Sequence, residues 1–158
     1  MGVRLTTDIS EIESILKQSL EIVRYEILRA LSYLGEQCVI KVRDRSANES
    51  WIDQTGNLRS SIGYAIYEKG RKEIESVFKI VKKGREGSAE GKKMIDELAG
   101  LYSDTYALVV IAAMNYAEYV EAKDNKDVLA STELFARKEV SKYLNKALQR
   151  ANDKIAKL

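Results

Sequence analysis

Apolar residues recur every three or four positions from the N-terminal region onward: Ile9, Ile12, Leu16, Leu20, Val23, Ile27, Leu31, Leu34 and Cys38. That spacing keeps one face of a 3.6-residue helix apolar. The chain has no proline, and within this stretch only Gly35 weakens a helix. Asp8 with Glu11 three residues later reads as a capping-box-like start. A helix over 8–45 is predicted, roughly 55 Å long at ~1.5 Å per residue. A chain of 158 residues is most simply one domain. So long a helix must overhang that domain's core or pack on a neighbour, while its central turns are expected inside.

The rest of the chain alternates between strand-like and helix-like patterns. Periodicity breaks from Ser46 to Gln54, with Asn48 and Ser50 as turn formers around Trp51. Thr55 is placed to cap a short helical turn through Ser61, and Gly56 permits a backbone path that side chains obstruct. Ile62–Tyr67 alternates as a strand, Lys69-Gly70-Arg71 turns, and Ile74–Val81 is predicted as the second strand of an antiparallel hairpin. Residues 55–81 thus form a turn and hairpin. Residues 82–104 read as an insertion: a mobile glycine- and charge-rich loop over 82–91, then a short helix bearing Met94, Ile95, Leu98 and Leu101. Thr105–Met114 is nearly all apolar and reads as a central strand covered on both faces, followed by a turn, over 105–121 in all. Ser131 or Thr132 opens a last helix over 132–158, striped by Val140, Leu144, Leu148, Ala151, Ile155 and Leu158. The expected fold class is α+β, with a long N-terminal helix and a C-terminal helix packed on a small antiparallel sheet.

Composition excludes much chemistry. The chain has no histidine and one cysteine, which removes the commonest general base and leaves too few ligands for a tetrahedral zinc site. Cys38 lies on the helical stripe and is expected as a small core residue. No paired carboxylates stand out, so no enzyme, metal or cofactor is expected. Gly87-Ser88-Ala89-Glu90-Gly91-Lys92-Lys93 glances at a phosphate-binding loop, but its glycines are one residue too close and Lys93 replaces the Ser/Thr. No apolar run approaches the ~20 residues that span a bilayer, and the start lacks a leader-like apolar core, so no membrane partner is expected.

Charge is segregated. The net value is +2, yet Lys69–Lys93 carries nine basic and four acidic residues, Met94–Glu133 two basic and eight acidic, and Leu134–Leu158 seven basic and two acidic. Any one stretch is ordinarily just a solvated face. Together, +5, −6 and +5 suit head-to-tail contacts, which close into rings.

Two separated segments carry a resemblance: Thr55-Gly56-Asn57-Leu58-Arg59-Ser60-Ser61-Ile62, and Asn115-Tyr116-Ala117-Glu118-Tyr119-Val120-Glu121. With the strands between them, they resemble the minor structural proteins at the neck, or head–tail junction, of long-tailed bacteriophages, of the lambdoid neck and tail-completion type. The resemblance runs from about Trp51 to Phe135. In that family such segments lead into the first strand and follow the last. The resemblance implies a small sheet braced by two helices, a non-enzymatic virion role, and assembly as a homo-oligomeric ring. It also implies head-closure (connector) and tail proteins as partners, with location in the virion neck or tail and in host cytoplasm during assembly. The matching structural positions are Thr55, Gly56, Asn57, Leu58, Arg59, Ser60, Ser61, Tyr116, Ala117, Tyr119, Val120 and Glu121. The chain departs from the pattern in lacking proline and in having Ala122-Lys123-Asp124 where Gly-Thr is usual.

Three site expectations follow. Glu118, Glu121 and Asp124 are candidate oligomer contacts, whose reversal to lysine should weaken a ring and leave the monomer folded. Lys82, Lys83, Arg85, Lys92 and Lys93 form a candidate DNA-channel loop, with non-specific contact to packaged DNA left open. Gly56 should tolerate valine less well than Gly87, which is placed in the loop. Two other classes stay open: a nucleic-acid-binding module using the basic loop and last helix, and a cytoplasmic helical adaptor.

Overall fold

The Asp8 carboxylate accepts the Ser10 amide at 3.1 Å and so starts α1, which runs Ile9–Arg43. At ~1.5 Å per residue its 35 residues span roughly 52 Å. The structure is a computed structural model that describes residue 2 and residues 8–45, 51–122 and 127–158. The expected turn around Asn48 and Ser50, and the candidate contact Asp124, lie outside the described residues.

After α1 come α2 (Asn57–Ser60), β1 (Ile62–Glu68), β2 (Arg71–Glu75), α3 (Arg85–Glu97), β3 (Tyr106–Ala112), α4 (Ala117–Ala122) and α5 (Ala130–Ile155). The fold is α+β. The three strands form one antiparallel sheet in the order β2-β1-β3.

Three expectations are corrected here. First, β3 is not central; β1 is, and all seven β1 residues are buried. An apolar run reports only that both faces of a strand are covered, and both faces of β3 are. Leu108 and Val110 pack in the cluster with α1 and α5, while Ala107 and Val109 face Tyr67 and Ile95 on the α3 side. Second, β2 spans Arg71–Glu75 rather than Ile74–Val81. Lys69 (φ 49°) and Gly70 (φ 78°) make a tight turn with both residues left-handed, the geometry that starts pairing at once. Beyond Glu75 the chain leaves the ladder. The Ser76 hydroxyl accepts the Tyr64 amide at 2.9 Å, and Phe78 turns inward over Gly63 and Gly91. Third, of the mobile loop predicted over 82–91, residues 85–91 are the start of α3, with Gly87, Ser88 and Gly91 buried. What reads as flexible composition is a small-residue face. Of the apolar residues expected on that helix, Ile95 is buried, whereas Met94 and Leu101 are exposed.

α5 begins at Ala130, slightly earlier than expected, and packs along α1. Its buried residues include Ala147 and Ala151, while Leu148 and Leu158 stay exposed. Small residues at the seam (Ala30 on α1, Ala147 and Ala151 on α5) let the two helices approach closely. The seam is keyed by Glu26, which has 0% exposure. Its carboxylate accepts Lys154 Nζ at 2.6 Å and Arg150 Nε at 2.7 Å. The hydrogen bond from Lys154, then that from Arg150, holds the Glu26 carboxyl below its ordinary range despite desolvation. Two residues earlier, Arg24 clamps the sheet, donating to Glu68 and to Glu73 at 2.7 Å each.

Glu26→Gln is expected to lower stability at pH 7 by about 1–2 kcal/mol, because the carboxylate is buried but the two cations it leaves are 41% and 48% exposed and can be rehydrated. Because the folded pKa is depressed, wild type holds this stabilisation fully above the unfolded value near 4.5 and loses it as pH falls toward the folded value. Urea melts of both proteins at pH 7 and pH 3.5 check this: the gap should narrow at the lower pH.

Candidate functional site: two structural junctions and an overhanging helix

The Thr55–Ser61 segment is a junction where four parts of the chain meet. Gly56 sits at φ +84°, a left-handed conformation that glycine adopts without strain. The Thr55 hydroxyl accepts the Asn57 amide at 3.2 Å, as the sequence predicts. A larger share of the capping falls to Asp53, whose two carboxylate oxygens accept the Gly56 and Arg59 amides at 2.8 Å each. Asp53 was not legible as a cap, because a loop precedes α2 and its carboxylate reaches across three and six residues.

Asn57, Arg59 and Ser60 each tie the segment to a different neighbour. Asn57 donates to Glu86 at 2.8 Å and accepts the Gly87 amide at 3.4 Å, docking α2 on α3. The Ser60 hydroxyl accepts the Val81 amide at 2.8 Å, and the Ser61 hydroxyl donates to the Leu58 carbonyl at 2.8 Å. The Arg59 guanidinium reaches the Arg43 carbonyl at the end of α1 and lies 4.8 Å from the centre of the Trp51 ring. Leu58 is buried in the main core. The segment therefore fixes α1, β1, the 76–84 connection and α3 relative to one another.

The second segment makes a smaller junction. Glu121 accepts the Leu129 and Ala130 amides at 2.9 and 2.7 Å, capping the start of α5. A carboxylate there also meets the positive end of the helix. The expectation that reversing Glu121 leaves the monomer intact is corrected accordingly: the change removes a helix cap, whatever outward contact the residue makes. Ala117 and Val120 pack against the core, while Glu118 and Tyr119 are exposed. Arg45 braces the same corner, bonding Asp127, Ser131 and Thr132.

The five basic residues expected to share a loop are split between a turn and a helix. Lys82 has left-handed backbone (φ 52°), and its ammonium donates to the Asp53 carbonyl at 2.5 Å. Lys83 and Arg85 are exposed at the start of α3. Lys92 and Lys93 lie farther along it, and Lys93 pairs with Glu97 at 3.9 Å. Glu86, Glu90, Asp96 and Glu97 are interleaved with them on the exposed side of α3. The Gly87–Lys93 stretch is helical, so it makes no phosphate-cradling loop.

Among the described residues no group of three or more His, Cys, Asp or Glu side chains could hold a metal ion. No helix there is long and apolar enough to cross a membrane. Cys38 is buried, and burial pushes its thiol up to about 11, which leaves it unreactive near neutral pH.

The large apolar exposure is on α1. Ile9 (71%), Ile12, Ile15, Leu16 and Leu20 (69%) stand open, whereas the buried positions begin at Glu26. α5 ends opposite Tyr25, with Lys154 lying 5.3 Å from that ring's centre, so the first four turns of α1 project past both α5 and the sheet.

The predicted tolerance of Gly87 is overturned. A Cβ on Gly56 would strike the Val81 carbonyl, and a Cβ on Gly87 would strike the Asn57 carbonyl. Gly56→Val and Gly87→Val are both expected to destabilise, each by roughly 2–3 kcal/mol. Thermal melts compare them: a Gly87 variant melting like wild type would show that α2 and α3 need not touch.

No protein-family model, curated protein or solved structure matches this chain.

Proposed function

We propose that this is a non-enzymatic structural protein of a tailed phage or prophage, acting at the head–tail junction and assembling as a homo-oligomeric ring between head-closure and tail proteins. The observation that carries the assembly part is the overhang of α1. A stripe of five large aliphatic residues on a well-formed helix has nothing to cover it among the described residues. Burying each such side chain contributes about 1.5–3 kcal/mol, so a partner surface would gain most of its association energy there. The overhang carries Asp8, Glu11, Glu13 and Glu21 against Lys17, an acidic edge suited to a basic surface such as the exposed side of α5.

The phage-neck part is supported by the two segments and by the roles their side chains play. In the two segments Asn57, Arg59, Ser60 and Glu121 each hold one element against another, which suits a scaffold motif in a chain whose purpose is shape. The nucleic-acid reading draws less support, because the lysines and arginine of α3 alternate with carboxylates rather than forming one field.

Leu16→Lys/Leu20→Lys tests the proposal. Both positions are exposed, so the monomer's melting temperature should stay near that of wild type. Self-association in sedimentation velocity at low salt, and rings in electron micrographs, should be lost. In a phage or prophage carrying the gene, the variant should yield heads and tails that fail to join. Normal infectious particles from the variant would overturn the reading.

A further inference from the structure

The groove between α1 and α5 has an open side, turned away from the sheet. Arg137, Val140 and Leu144 of α5 face a cleft over Leu108 of β3. At about 100° per residue, Lys142 and Lys146, each two positions from Leu144, stand on the opposite side of the helix. Tyr143 beside them meets Tyr33 of α1, the ring centres 5.5 Å apart. On α1 the same side carries Tyr25, Arg29 and Tyr33 at intervals of one turn, and the two tyrosines are 58% and 55% exposed. Aromatic side chains so open along a helix pair make a bed on which a further helix can pack.

The cations along this groove are not all spent within the chain. Arg150 and Lys154 are held by Glu26, and Lys142 by Glu139 at 3.0 Å. Glu36 of α1 acts on Tyr64 and Arg43 instead. Arg29, Lys138, Lys146 and Lys157 are exposed and make no ion pair among the described residues, and Asp153 is an open carboxylate near the end of α5. That leaves four free positive groups against one negative. Register sets Arg29 against Lys146, because Glu26 meets Arg150 on one side of them and Tyr33 meets Tyr143 on the other. Two unpaired cations thus stand across the seam from one another, an arrangement that an anionic partner relieves.

We propose that this groove receives the projecting start of α1, residues 8–21, from a second copy of the chain. This rests on the ring reading above and names its contact. The projecting segment has the complementary build. Its stripe of Ile9, Ile12, Leu16 and Leu20 is flanked by Glu13, Lys17 and Glu21 on one side and by Asp8 and Glu11 on the other. Glu11, Glu13 and Glu21 make no ion pair among the described residues. With Asp8 and Lys17 the segment carries four negative groups against one positive, the inverse of the groove. A helix laid there sets its apolar stripe on the tyrosines, one flank over Arg29 and the other over Lys138 and Lys146. Donor and acceptor are different patches of one chain, so the contact is heterologous and repeats from copy to copy, as a ring requires.

The test uses the full chain in sedimentation velocity at low ionic strength. Arg29→Glu/Lys146→Glu alters exposed, unpaired side chains, so its melting temperature should stay near that of wild type while self-association weakens by roughly tenfold or more. Glu11→Lys/Glu13→Lys should weaken it from the other side of the contact. Mixed together, the two variants should recover association, because the reversed segment of one then meets the reversed groove of the other. A merely structural role for these charges would give no such recovery. Self-association that is lost in Leu16→Lys/Leu20→Lys but untouched in Arg29→Glu/Lys146→Glu would overturn the groove contact and leave the ring standing. Weakening in both charge variants without recovery on mixing would overturn it too. A wild-type chain monomeric under every condition would overturn ring and groove contact together.

Discussion

Glu26 sits in an apolar seam with no exposure, held there by two cations that come from the far end of the chain. A lone buried carboxylate would carry a desolvation cost of several kcal/mol, so it tolerates its site only when Arg150 and Lys154 are in place. That requirement sets the register of α5 on α1. Arg150 and Lys154 are one turn apart on α5, so one turn of slip would leave Glu26 with a single cation. Arg24, facing another way on the same turn of α1, binds Glu68 and Glu73 and sets the sheet against the same helix. Tyr106 adds a second partner to Glu68 at 2.6 Å, and burial together with that bond pushes its phenol up to about 12. Sheet and C-terminal helix are thus both referred to a short stretch of α1.

The other end of α1 is fixed differently. There the chain uses backbone groups: the Arg43 carbonyl receives Arg59, and Arg43 itself donates to the Ile62 carbonyl. These bonds bring the end of α1 to the start of β1 through the left-handed turn at Gly56. The glycines that a composition-based reading assigns to a loop, Gly84, Gly87 and Gly91, instead line the approach of α3 to α2 and to Phe78. Close packing and flexibility use the same residue, and only the neighbours distinguish them.

With the core end of α1 so tied, its first four turns are left as a rigid arm. A helix held by ion pairs at Arg24 and Glu26 and by packing from Leu28 to Val42 transmits orientation to its free end, so the apolar stripe is presented at a defined angle. Among the described residues, the arm and the uncharged edge of β3 are two separate open surfaces of one fold.

The sequence by itself determined the elements that depend on local pattern: the start and length of α1, the hairpin turn at Lys69-Gly70, the short α2 after Thr55, and an α+β class. Periodicity and turn chemistry are properties of neighbouring residues, so they are legible without a fold. Tertiary structure alone decided which strand is central, where β2 ends, that residues 85–91 are helical, and that Glu121 caps a helix. Each of those turns on partners outside the local pattern: β1 is central because β2 and β3 both pair with it, α3 docks on α2 where Asn57 meets Glu86 and Gly87, and Glu121 matters because the Leu129 and Ala130 amides need an acceptor. The unfinished stripe on α1 belongs to both. Its apolar spacing is written in residues 9–20, but its exposure follows from α5 ending where it does.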